Sequence, residues 1–184
     1  SEGVYIKKNA ILSNNAQIVG QGGISDRDNS VGVSISDASV SDTVTITGDG
    51  GQATGTSEGV YIKNAILSNN AQIVGQGGTS NSNNSIGVSF GTSITMDAES
   101  EAQVTGNGGT GANSMGIKFD GSTFSLEGGT LTATGGTTYT TASYGLYTTN
   151  NFLMDGTLLT AKGYTSAVGC NSSKEISSDV IVVS

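Results

Sequence analysis

Residues 57–78 read SEGVYIKNAILSNNAQIVGQGG, and residues 1–23 read SEGVYIKKNAILSNNAQIVGQGG, the same text with one lysine added. Between the two copies lies SVGVSISDASVSDTVTITGDGG. Beyond them follow SIGVSFGTSITMDAESEAQVTGNGG, SMGIKFDGSTFSLEGGTLTATGG and SYGLYTTNNFLMDGTLLTAKG. The repeating unit is therefore 27 to 29 residues long and starts at Ser1, Ser30, Ser57, Ser85, Ser114 and Ser143, with a partial seventh unit from Ala167. A period in this range is the signature of a solenoid, in which each unit buries its apolar side only against its neighbours.

Within each unit the apolar residues come in pairs spaced by one polar residue, the period of an extended strand. Val60 with Ile62, Ala65 with Leu67 and Ala71 with Ile73 repeat as Val33 with Ile35, Ala38 with Val40 and Val44 with Ile46. No apolar stripe at helical spacing persists, and β-branched residues and glycines fill the chain. The expected fold is all-β: a right-handed parallel β-helix of about six to seven rungs of 27–29 residues, each with three short strands, forming one domain over residues 1–184. A Gly precedes the first pair in every unit and another follows the third, which predicts corners in positive-φ conformations. Asn14 with Asn15 and Asn69 with Asn70 share a corner that Asp42 with Thr43 interrupts, so no continuous asparagine ladder is expected there. Cys170 is aligned with Val4 and Val33 and is expected to face inward.

Composition narrows the function. Charged residues are 12% of the chain, about half the usual share, and Ser, Thr, Asn and Gly take their place. The net charge is −8 with seven basic residues, which opposes binding to a nucleic-acid backbone. The longest aliphatic run, Val180–Val183, is far short of the roughly 20 residues of a membrane helix. Histidine is absent, so no triad using an imidazole base can form and zinc loses its commonest nitrogen ligand. The lone Cys170 makes no internal disulfide.

Three sets of residues are candidates for binding. Tyr5, Tyr61 and Tyr147 share one outward position on the first strand, filled by Ser34, Ser89 and Lys118 in the other units, and offer ring faces for sugars. Tyr139, Tyr144 and Tyr164 gather near the last loops as a second patch. Asp97, Glu99 and Glu101 alternate, which predicts a common face, and Asp26 and Asp28 flank Arg27; either group offers the oxygens that calcium requires. The polar loops after each third strand (QGGISDRDN, DGGQATGT, QGGTSNSNN, NGGTGAN, GGTTYTTA) are expected to stack along one edge.

The run SMGIKFDGSTFSLEGGTLTATGG and its successor resemble the GI-x-x-x-x-x-L-x-GGTLTA-x-GG repeats of bacterial cell-surface parallel β-helix proteins, through Gly116, Gly128, Gly129 and Leu131. The resemblance implies an extracellular or cell-surface protein, a segment or mature form of something larger, of the carbohydrate-binding or adhesin type, with calcium as a possible cofactor. Two alternatives accompany it. One is a structural subunit that self-associates end to end into a fibre, because the first unit begins without a polar cap. The other is a polysaccharide lyase or hydrolase, disfavoured because Arg27 lies far along the rod from Asp97 and Glu101. No catalytic residues are expected.

Overall fold

The computed structural model describes residues 1–150 and 153–170; the side chains of Tyr139, Thr140, Leu153 and Cys170 fall outside that description. It is a parallel β-solenoid of about six turns, with no helix among the described residues. The first turn contains β1 (Glu2–Ile6), β2 (Ala10–Leu12) and β3 (Gln17–Gln21). The second contains β4 (Ser30–Val40), β5 (Thr45–Asp49) and β6 (Gln52–Ala53), and the third β7 (Ser57–Leu67), β8 (Gln72–Gln76) and β9 (Thr79–Ser80). The fourth is built from β10 (Asn84–Met96) and β11 (Gln103–Asn107). The fifth has β12 (Gly111–Phe119), β13 (Thr123–Leu126) and β14 (Thr130–Thr134). The sixth has β15 (Thr138–Thr148), β16 (Leu153–Met154) and β17 (Leu158–Lys162), and β18 (Ser166–Cys170) lies on top.

Every pairing is parallel. One sheet runs β1-β4-β7-β10-β12-β15-β18, with β2, β13 and β16 attached, and a second runs β3-β5-β8-β11-β14-β17. The apolar pairs stack as the repeat predicts: Val4, Val33, Val60, Val88, Ile117, Leu146 and Val168 form one column, and Ile18, Ile46, Ile73, Val104, Leu131 and Leu159 face it from the second sheet. Between the ends the column residues are fully buried. Phe90 and Phe119 stack at 5.5 Å between ring centroids, and Phe124 tilts onto Phe119 at 4.8 Å, so aromatic volume fills the fourth and fifth turns. Burying such a side chain contributes about 1.5–3 kcal/mol.

Four expectations need correction. The first and second strands of a unit are separate only at the ends of the rod. In β4, β7 and β10 they form one strand of 11, 11 and 13 residues, and the pairing of β7 with β10 shifts register between Phe90 and Ser93. Most of the recurring glycines do not serve positive φ, which among glycines occurs at Gly129 and Gly156. They allow close approach: a Cβ on Gly48 would overlap the Gly59 carbonyl oxygen, and one on Gly32 would lie 2.5 Å from the Asp49 nitrogen. The second sheet thus meets the first backbone to backbone. The left-handed corners belong to Asn14, Asp42 and Asn69, at φ 60°, 58° and 53°. Asp42 continues the ladder it was expected to break, accepting from Asn14 N at 2.8 Å and from Asn69 Nδ2 at 3.2 Å. Finally, Cys170 pairs in register with Thr148, in the column of Ile35 and Ile62, and the partner of Val4 and Val33 at this level is Val168.

The loops beyond the glycine neck do stack, and hydrogen bonds stitch them together. β6 pairs with β9, and Ser25 and Thr110 extend the stack by single bridges. The serine that opens each unit points into this lobe. Ser30, Ser57, Ser85 and Ser114 donate to the carbonyls of Gly23, Gly51, Gly78 and Gly109 at 2.7–3.0 Å. Each also accepts from a glycine N–H one turn above: Gly51, Gly78, Gly109 and Gly136 respectively. A buried hydroxyl column so satisfied pins one loop to the next.

Candidate functional site

The outward face of the first limb carries two adjacent columns. One runs Glu2, Val31, Glu58, Ile86, Met115, Tyr144; the other runs Tyr5, Ser34, Tyr61, Ser89, Lys118, Tyr147. The second is the column read from the sequence. Val31, Ile86 and Met115 are buried yet stand apart from the interior core, so this outward face is itself a covered surface.

At its centre lies a cluster of polar groups. The Lys118 ammonium pairs with Asp120 at 2.8 Å, the only ion pair among the described residues. Glu58, two turns below Lys118, is half-buried. Burial raises its pKa to about 7. Lys118 opposes the rise, Asp120 reinforces it, and the Ser89 hydroxyl opposes it weakly. The Ser89 hydroxyl lies near the Glu58 carboxyl. Its Oγ is left buried without a partner in a residue only 1% exposed.

The tyrosines frame this centre. Tyr61 is half-buried, and its pKa is raised by burial and then by the nearby Glu58 and Asp120 charges. A Cβ on Gly91 would lie 2.5 Å from its hydroxyl, so the bare backbone at that position makes room for the ring. Tyr144 and Tyr147 lie 5.2 Å apart, tilted, further up the same face, and the backbone at Gly169 leaves space for Tyr144.

The other candidates are dispersed. Tyr5 is 54% exposed at the lower end of the column. Tyr164, 89% exposed, lines a hollow of about 230 Å³ with Thr134, Gly135, Lys162 and Gly163, and its backbone N donates to Ser143 Oγ, beside Tyr144, at 3.3 Å. Tyr139 lies on β15 with its side chain outside the described residues. Asp97, Glu99 and Glu101 do not alternate along a strand. They are exposed in the turn between β10 and β11, which Ser100 N closes onto Asp97 O at 2.9 Å. Asp26 and Asp28 are exposed in the first loop, where Asp28 N donates to Ser25 Oγ at 3.2 Å. Among the described residues no three carboxylate, cysteine or histidine side chains gather closely enough to hold a metal ion.

The sequence reading passed over Glu58, Asp120 and the role of Ser89. A signal was available: Glu58, Ser89 and Lys118 occupy the outward columns in three successive units. A second feature, a groove of about 470 Å³, follows the outward face of the second limb past Ile11, Asp37, Asn64, Ile66 and Ser93. Its polar groups satisfy one another, with Asn64 donating to Asp37 at 2.7 Å and Ser93 to Asn64 at 3.0 Å. Compared with family models, with curated proteins and with solved structures, the chain matches none.

Proposed function

We propose that this chain is a carbohydrate-binding module of an extracellular or cell-surface protein, and that it holds glycans along the outward face of the first limb. One observation carries the reading: half-buried tyrosine rings, Tyr61 below and Tyr144 with Tyr147 above, stand either side of a polar floor of Glu58, Ser89, Lys118 and Asp120. Rings present faces for sugar C–H groups, and the floor presents donors and acceptors for hydroxyls. Tyr61 and Tyr147 are three turns apart, about 14 Å at the spacing of parallel strands, enough for a short oligosaccharide. A surface built from Ser, Thr, Asn and Gly suits an extracellular setting.

Screening on a glycan array, followed by titration calorimetry, tests the proposal. Tyr61→Ala and Tyr147→Ala should each weaken binding by about tenfold, equivalent to about 1.4 kcal/mol, while Tyr164→Ala leaves it unchanged. Failure to bind any glycan, or equal binding by all three variants, would overturn the reading. A second reading, glycoside hydrolysis, draws on Glu58: a carboxyl holding its proton to about 7, on the same face as Asp120, resembles an acid and base pair. Release of reducing ends by the wild-type chain and its loss in Glu58→Gln would favour that reading.

A further inference from the structure

The outward face of the second sheet takes no part in the proposed glycan site. Its six strands pair over five residues each with no register shift. They contain two charged residues, Asp49 in the second turn and Lys162 in the sixth. Both stand in one column, Asp49, Gln76, Asn107, Thr134 and Lys162, and both are exposed. Four strand spacings, about 19 Å, separate them, so they do not pair within the chain, and the ion pair among the described residues lies elsewhere, at Lys118. The adjacent column, Thr47, Val74, Thr105, Thr132 and Thr160, is β-branched throughout. On a chain of net charge −8 this face is neutral, and its two opposite charges stand two turns either side of Asn107.

We propose that two molecules of the chain pack this face against itself, rods antiparallel, about a two-fold axis that runs along β11 in the fourth turn. Such an axis keeps each column opposite its own copy and reverses the order of the turns. The second turn then meets the partner's sixth, so Asp49 of each molecule lies opposite Lys162 of the other, and Asn107 meets its own copy. In the adjacent column Thr105 faces Thr105, Val74 faces Thr132 and Thr47 faces Thr160, side chains of nearly one size in a sheet-on-sheet contact about 10 Å thick. Other arrangements of the face fail on charge. Parallel rods set Asp49 against Thr45 and Lys162 against Leu158, and the antiparallel register one turn lower sets Asp49 against Thr134 and Lys162 against Gln21. Each leaves both charges unpaired, so charge selects the register. The patch measures roughly 24 Å by 16 Å, about half the usual footprint per partner. The dimer is therefore weak, with a dissociation constant on the order of 100 µM. The tyrosine face belongs to the other sheet and stays open.

Sedimentation equilibrium of the whole chain from about 10 µM to about 1 mM, at about 0.15 M salt to screen the acidic surfaces, tests this. The wild type should pass from monomer to dimer with no larger species. Lys162→Glu and Asp49→Lys should each weaken the dimer by about tenfold or more, because each sets like charges together twice across the two-fold axis. The double variant, Asp49→Lys with Lys162→Glu, should restore the dimer to within about threefold of the wild type. Asp49→Lys also separates pairing from overall charge: it makes the chain less negative, so an association limited by general repulsion would tighten instead. Carbodiimide coupling of a mixture of unlabelled and isotope-labelled wild type should join Asp49 to Lys162 between molecules, a readout that does not depend on any variant folding. A wild type that stays monomeric at the highest concentration, or one that grows into open-ended oligomers, would overturn the proposal. So would a dimer that neither charge reversal weakens, a double variant no tighter than the single ones, or a dimer that yields no Asp49 to Lys162 link.

Discussion

Residues 1–6 and 57–62 share the sequence SEGVYI, but the two copies end in different environments. In the lower copy Glu2 is exposed, Tyr5 is 54% exposed and Val4 and Ile6 are half-buried. In the upper copy Val60 and Ile62 are fully buried, Glu58 and Tyr61 are half-buried, and the Glu58 carboxyl holds its proton to about 7. Local propensity is identical, so the difference comes from the turns above and below. Ser89, Lys118 and Asp120 enclose Glu58, whereas Glu2 stacks beneath Val31. In a solenoid, the scaffold follows from the repeat, and the site follows from where the units differ.

Substitutions made in both copies test this difference, and the largest effect belongs to the core. Ile62→Ala should lower stability by about 2–5 kcal/mol, whereas Ile6→Ala, at a half-buried position, should cost roughly half as much; denaturant melts of the two variants compare them. Next comes pH. Glu58 has a folded pKa raised above its unfolded value, so the folded chain binds the extra proton between about pH 4.5 and 7 and loses stability as pH rises through that window. The loss should approach roughly 3 kcal/mol above pH 7. Glu58→Gln should flatten that part of the stability profile, and Glu2→Gln should leave it in place.

The serines give a smaller contrast. Ser57 donates to Gly51 O at 2.7 Å and accepts from Gly78 N at 3.1 Å, while Ser1 Oγ accepts from Gly23 N at 3.1 Å at an exposed end. Ser57→Ala should cost about 1–3 kcal/mol through the unpaired groups it leaves, and Ser1→Ala a few tenths. The last contrast is Gly91→Ala. The added methyl would displace the Tyr61 ring at a cost of about 1 kcal/mol, and should move the Tyr61 ring resonances while those of Tyr5 stay fixed.

These contrasts explain what the sequence made visible. Strand pairs such as Val60 with Ile62 were legible because alternation is a property of neighbouring residues, and the column of Tyr5, Tyr61 and Tyr147 followed once the units were aligned. The reason for the glycines was not legible. Close approach and positive φ both call for glycine, and only the placement of Gly48 against Gly59 separates them. Asp42 was read as a break between asparagines because the side-chain chemistry differs, whereas the corner requires only a left-handed residue with a side-chain oxygen. Cys170 slipped by two positions because Gly169 imitates the glycine that opens a unit. Glu58 was overlooked because its identical copy, Glu2, carries no sign of enclosure. The enclosure depends on residues 31 to 62 positions further along.

The central claim is that the first limb's outward face encloses an acid lacking its own counter-ion. Titrating the Glu58 side-chain carboxyl by carbon-detected NMR tests this directly. The account predicts a midpoint near pH 7. A midpoint at the ordinary value near 4.5 would contradict it.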